Sequence, residues 1–248
     1  MGCQPSVGEP YLKPIQIPPQ LWFKYMPKIA DNLTQVRRVI QHSASEAGRN
    51  PSDITLLAVS KAKTAAEIEE AYQAGQRDFG ENYVQEAVAK IAQVDHPDIN
   101  WHFIGPIQTN KSRLIAENFA WVHTVDRLKV AERLNQQRPE NLPPLQVCIQ
   151  VNIDADDAKS GCLPTETAVL GEAIRRLPRL HLRGLMAIPK EGSGRKPFDD
   201  LAELAHSLRR DGLPMDTLSM GMSGDLADAV AAGSTLVRVG SAIFGSRS

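Results

Sequence analysis

Residues 54–80 read ITLLAVSKAKTAAEIEEAYQAGQRDFG, and the order of patterns within them decides the fold. Ile54 to Ser60 is a short, largely apolar β-rich run, Ala65 to Ala74 carries apolar residues at helical spacing, and Asp78 to Gly80 is a second strand. Strands joined through a helix, with no tight hairpin between them, must run parallel. The alternation continues to the end of the chain. Further strands are expected at Trp101 to Ile104, Trp121 to Thr124, Gln146 to Val151, Leu182 to Ala187, Thr217 to Ser219 and Leu236 to Val239. Helical segments are expected at Tyr83 to Ala92, Leu128 to Gln137, Glu166 to Leu177 and Phe198 to Arg210. Eight such units suit a single-domain (β/α)8 TIM barrel, with a doubly wound open sheet as the alternative.

Upstream of the first strand, Ile29, Leu33, Val36, Val39 and Ile40 recur at three- and four-residue steps. They predict an added N-terminal amphipathic helix from Met26 to Gly48, stopped by Asn50-Pro51. Residues 1–25 hold five prolines and no helical period, so they are expected to form a loose extension, with the folded domain spanning residues 26–248.

Composition limits the function. In 248 residues, 42% hydrophobic, 28 Lys+Arg stand against 29 Asp+Glu, a formal charge of −1. No global basic field is available to hold nucleic acid or an anionic membrane, so the expected partner is a small molecule. No apolar run approaches the ~18 residues of a membrane span, and no basic stretch leads into an apolar one at the start, so a cytoplasmic location is expected; the chain is separately expected to be a monomer. Cys3, Cys148 and Cys162 cannot pair evenly and lack CxxC spacing, and the six histidines are scattered singly. Neither a disulfide framework nor a metal site is expected.

In a barrel, the strand ends and the loops after them build the active site. Lys61 follows the first strand on the same face as Val59 and Leu57. A lysine there is ordinarily just solvated; desolvated by barrel walls, it becomes an amine able to form a Schiff base. Near the chain end, Gly221, Ser223 and Gly224 lead from a strand into a helix that Ser223 can cap, and Gly240-Ser241 repeats the arrangement after the eighth strand. Singly these are glycine-serine turns; together, after strands seven and eight, they mark a phosphate site. Arg238, between Val237 and Val239, requires a carboxylate or a ligand, a structural ion pair being the default. Glu81-Asn82 and His102 lie at the ends of earlier strands, where a histidine is more often a satisfied core residue than a catalyst.

The segments Ala58-Val59-Ser60-Lys61, Phe79-Gly80-Glu81-Asn82-Tyr83-Val84-Gln85-Glu86, Trp101-His102-Phe103-Ile104-Gly105, Gln150-Val151-Asn152, Lys159-Ser160-Gly161, Gly184-Leu185-Met186-Ala187-Ile188-Pro189, Ser219-Met220-Gly221-Met222-Ser223 and Arg238-Val239-Gly240-Ser241-Ala242-Ile243-Phe244-Gly245 occur in this order. They resemble the pyridoxal 5′-phosphate homeostasis protein family, single-domain relatives of the alanine racemase N-terminal barrel. The resemblance implies that Lys61 carries the cofactor as a Schiff base and that Ser223, Gly240 and Ser241 hold its phosphate. It further implies that Arg238 faces the pyridine nitrogen and that Asn82 and His102 line the pocket. The chain departs from the family pattern in having Gly240-Ser241 for Gly-Thr, which keeps the hydroxyl, and in its first 25 residues, which have no counterpart and fit an upstream start codon.

A guanidinium donates hydrogen bonds and does not protonate the ring, so Arg238 weakens the electron sink that amino-acid chemistry needs. Racemases of the related fold share this arginine but add a second domain with a tyrosine base, whereas only Ser246, Arg247 and Ser248 follow Gly245. The expectation is a protein that buffers pyridoxal phosphate or delivers it to apo-enzymes without strong turnover and with no catalytic residue of its own. The alternatives are a pyridoxal phosphate-dependent amino-acid racemase and a cofactor-free Schiff-base aldolase using Lys61.

Overall fold

The structure, a computed structural model, describes residues 29–156 and 158–245. Eight parallel strands close into a barrel in sequence order. They are β1 (Thr55–Val59), β2 (Asp78–Glu81), β3 (Asn100–Phe103), β4 (Trp121–Val125), β5 (Leu145–Gln150), β6 (Leu180–Met186), β7 (Thr217–Ser219) and β8 (Leu236–Val239). The helices are α1 (Ile29–Glu46), α2 (Ala65–Gln73), α3 (Val84–Ile91), α4 (Ser112–Asn118), α5 (Leu128–Gln137), α6 (Thr167–Arg175), α7 (Lys196–Arg210), α8 (Leu226–Ala231) and α9 (Ser241–Phe244). The closed sheet settles the choice between barrel and open sheet. β1 seals the ring by pairing with β8, in a register that sets Leu57 opposite Arg238.

The period of two along each strand divides the interior into two zones. Ala58, Phe79, Phe103, Val122, Ile149, Leu185, Leu218 and Val237 point outward and join the helices in one continuous apolar core. Their neighbours point into the barrel, where buried Leu57, Cys148 and Met186 share space with His102, His123, Ser219 and Arg238. The sheet-to-helix layer is therefore oily and the barrel lumen polar.

Helix α1 has a structural task that the sequence did not show. The helix after β8 is only the four residues of α9, and α1 packs between α8, α9 and α2. It fills the place of the eighth barrel helix. Leu33, Val36, Ile40 and Ala44 are its buried stripe, and Asn32 Nδ2 donates to Ile243 O at 2.8 Å. The predicted start at Met26 and the extension 1–25 lie outside the described residues.

Within the described residues the expected strands and helices are all present, with ends that match or shift by at most two residues. Helix α4 was not anticipated. It has seven residues, of which Ser112, Ile115 and Ala116 are buried, too short a stripe to carry a periodic signal.

Candidate functional site

Chain geometry at the C-terminal end of β1 presents Lys61 on a tight turn. Lys63 N donates to Ser60 O at 3.1 Å, and Ala62 adopts a φ of 58°, a left-handed conformation uncommon for a residue with a Cβ. Three side chains hold this turn. Glu86 Oε1 accepts from Ala62 N at 2.7 Å, Ser60 Oγ donates to Glu81 Oε1 at 2.6 Å, and Lys90 Nζ donates to Ser60 O at 2.8 Å. Lys90 also pairs with Glu81 at 2.6 Å and with Glu86 at 2.7 Å, although its side chain is only 6% exposed. Burial pushes the Glu81 carboxyl up, and Lys90 and the Ser60 hydroxyl pull against it.

A cavity of ≈ 410 Å³ opens beside this turn, a size within the range of small-ligand sites. Lys61, Asn82, Ser223, Arg238, Gly240 and Ser241 all line it. Val59, Ile104, Ile188 and Met222 supply apolar walls. Gly240 passes close to β1: a Cβ there would lie 3.3 Å from Val59 O, so the bare backbone brings Ser241 and α9 to the cavity. Ser223 and Ser241 are exposed. Ser223 does not cap α8; instead Asp225 Oδ1 accepts from Met222 N at 2.5 Å, which orders the turn that carries Ser223. Lys63 donates to Phe244 O at 2.9 Å and pairs with Glu67 at 3.4 Å.

Arg238 is 5% exposed and points from β8 into the lumen. Its Nη1 donates to Ser219 Oγ at 2.8 Å and its Nη2 to Ala187 O at 2.9 Å. Among the described residues it has no ion-pair partner, so the default structural pair is not formed. Burial brings its pKa down to about 10, opposed by the more distant Asp225 and Cys148, and it stays a cation at neutral pH.

Asn82 borders this cavity and a second one of ≈ 280 Å³, which Thr124, Gln150, Asn152, Lys159 and Ser160 complete. Its Oδ1 is buried without a hydrogen-bond partner, so it is an acceptor available to a bound group. The loop after β3 can approach only because residue 105 is glycine; a Cβ there would lie 2.1 Å from Asn82 O.

His102 is placed differently from the expectation. It does not line the cavity but sits inside the lumen, 1% exposed, between His123 and Asp78. The inward phase of β3 buries it beneath the residues that reach the mouth. The residues that sequence reasoning passed over are Glu86, Lys90, His123 and Ser219, while Glu81 stood out at its strand end without an assigned role. Lys90 carried a signal, since it recurs with Val84 and Ala87 on the buried face of α3, where a lysine needs a partner. No group of three metal-ligating side chains occurs among the described residues, whose free Cys148 and Cys162 are buried, and none of their helices is long and apolar enough to cross a membrane.

A parallel barrel with a lysine after its first strand, an arginine in its eighth and glycine-serine turns after its last two defines a class. Residues 28–248 match the family of the alanine racemase N-terminal domain. The chain is 54% identical over 226 residues to the pyridoxal phosphate homeostasis protein of Pseudomonas aeruginosa, covering 90% of this chain and 97% of that one. It is 53% identical over 229 residues to the protein of that name from Escherichia coli, covering 90% and 98%. PipY of Synechococcus elongatus, whose structure has PLP bound, superimposes with a TM-score of 0.78 at 38% identity, over 88% of this chain and all of that one. The chain belongs to the pyridoxal phosphate homeostasis protein family.

Proposed function

We propose that this protein binds pyridoxal 5′-phosphate as a Schiff base on Lys61 and buffers or delivers it within the cytoplasm, without strong turnover, as a monomer built on residues 26–248. The cavity fits the group. Lys61 offers a primary amine, the backbone and hydroxyls at Ser223, Gly240 and Ser241 offer donors for a phosphate, Arg238 offers N–H groups for a ring nitrogen, and Asn82 Oδ1 is an unsatisfied acceptor. When bound, the cofactor supplies an aldehyde that condenses with amines and a ring that takes up electrons.

The observation that carries the reading is Arg238. A guanidinium with Ser219 and Ala187 as its protein acceptors donates without giving up its proton, so it leaves a facing ring nitrogen unprotonated and withholds the electron sink. The described residues that line the cavity include no carboxylate, imidazole or phenol, and Lys61 and Lys63 are their only titratable groups besides Arg238. Such a pocket supports retention more than turnover, and release to apo-enzymes is the use that fits.

Three measurements test this. The purified protein should be yellow, borohydride reduction should fix the adduct on Lys61, and L-alanine in D2O should gain no deuterium at Cα beyond the rate with free pyridoxal phosphate. A colourless protein that cannot be reconstituted defeats the reading, and rapid deuterium exchange replaces it with a racemase.

A further inference from the structure

The barrel lumen holds a row of buried polar side chains beneath Arg238 that runs to the opposite mouth. Ser219 Oγ accepts from Arg238 and lies 2.8 Å from His123 Nδ1. His123 Nε2 lies 2.9 Å from His102 Nδ1, and His102 Nε2 lies 3.2 Å from Asp78 Oδ1. His102, His123 and Ser219 are at most 1% exposed. Asp78 is the first residue of β2, at the N-terminal end of the barrel, where Asn100 Nδ2 also donates to Oδ1 at 3.1 Å.

The direction of each bond follows from what its ends can do. Asp78 is a carboxylate that only accepts, which puts the hydrogen of neutral His102 on Nε2. Its Nδ1 therefore accepts from His123 Nε2, and His123 Nδ1 accepts from the Ser219 hydroxyl. Ser219 Oγ in turn accepts from the guanidinium, which only donates. Protonating His102 would set its Nδ1–H against the Nε2–H of His123, and protonating His123 would turn the Ser219 hydroxyl hydrogen away from Nδ1. Burial lowers the pKa of both, and His102 and Arg238 lower that of His123 further. Other groups facing the row are Trp121, stacked on His102 with centroids 5.3 Å apart, and the Cys148 thiol.

We infer that Ser219, His123, His102 and Asp78 are positioning residues for Arg238. They form a one-way chain of donors that anchors Nη1, while Ala187 O anchors Nη2, so the remaining N–H groups meet the pocket in one orientation. The consequence for a bound ring rests on the function proposed above; the chain itself does not.

Long-range 1H–15N correlations on 15N-histidine-labelled, cofactor-free protein at pH 7 test the chain directly. His102 and His123 should both be neutral Nε2–H tautomers, and an Nδ1–H or charged ring at either site overturns the inference. Asp78→Leu should mix the His102 tautomers, weaken pyridoxal phosphate binding about tenfold and shift the absorption band of the bound cofactor. Asp78→Asn, which keeps an acceptor oxygen, should preserve tautomers and band. A folded Asp78→Leu protein with wild-type tautomers and band sinks the positioning role. Should that variant not fold, Ser219→Ala in the same two assays decides, with an unmoved band counting against it. If the wild-type protein binds no pyridoxal phosphate, the proposed function fails, while the tautomers still judge the chain.

Discussion

Lys90 Nζ lies 2.8 Å from the carbonyl oxygen of Ser60, 30 residues earlier in the chain. That bond ties α3 to the residue immediately before Lys61. The same ammonium holds Glu81, which takes the Ser60 hydroxyl, and Glu86, which takes the amide of Ala62. A single buried charge thus organises both neighbours of Lys61 while remaining outside the cavity.

Lys90→Met removes that cation and leaves Glu81 buried without its partner. Removing one member of such a pair costs about 3–5 kcal/mol, which urea unfolding should show. Adding Glu81→Gln should recover part of the loss, since the stranded charge goes with it. A single variant as stable as wild type would mean that the turn holds itself.

Lys61→Ala should fold normally and lose the borohydride-trapped adduct, because Lys61 follows β1 on the turn rather than packing in the apolar core. Peptide mass spectrometry checks the assignment. An adduct retained on Lys63 or Lys111 would move the reactive amine elsewhere. Lys63 is already engaged by Phe244 O and Glu67, and Lys111 by Gln85.

Ser223→Ala and Ser241→Ala each remove a hydroxyl from the rim where a phosphate would sit. Each should weaken pyridoxal phosphate binding by about 1.5–3 kcal/mol while changing pyridoxal binding little. Titration of both compounds against both variants gives the comparison. Equal losses for the two ligands would remove the phosphate from this rim.

How much of this was legible in the sequence depended on the length scale of the signal. β7, β8 and α5 were placed to the residue, because alternation and helical spacing are local properties. Lys61, Asn82, Ser223, Arg238, Gly240 and Ser241 stood out at strand ends, which a barrel gathers at one mouth. His102 was placed wrongly at that mouth because the depth of a strand residue depends on barrel closure, which no local pattern encodes. The pairing of His123 with Ser219 spans 96 residues, and α1 fills the eighth helical position only because α9 is short. Both facts belong to the closed ring.

Gly105→Ala tests whether the approach of the β3 loop to Asn82 is as close as it looks. The added methyl would meet backbone, not a side chain that can swing aside, at 2.1 Å from Asn82 O. The loop must shift, at a cost of about 1–3 kcal/mol, and Asn82 should move with it. Reduced stability together with weaker pyridoxal phosphate binding is expected; an unchanged denaturation midpoint would show that the two loops are not packed this tightly.

The two lumen histidines give the fold a pH limit whose sign can be worked out. His102 and His123 have pKa values held below the usual imidazole value, chiefly by burial, with Asp78 opposing the shift at His102. In the unfolded chain they titrate near about 6.5. Below that pH the unfolded state binds protons that the native state refuses, so stability is fully present above about 6.5 and falls as the pH drops through it. Melting temperatures from pH 8 to pH 5 should therefore decline on the acid side, before the carboxylates begin to protonate. Asp216, paired with Arg183, cannot mimic this. Although burial pushes its carboxyl up, Arg183 and Thr217 outweigh that and hold it below the ordinary aspartate value, so its contribution is lost only at lower pH. A His102→Gln, His123→Gln double variant removes both titrating rings and should flatten the decline between pH 7 and pH 5, whatever its absolute stability. An undiminished slope in that variant would place the acid sensitivity outside the lumen pair.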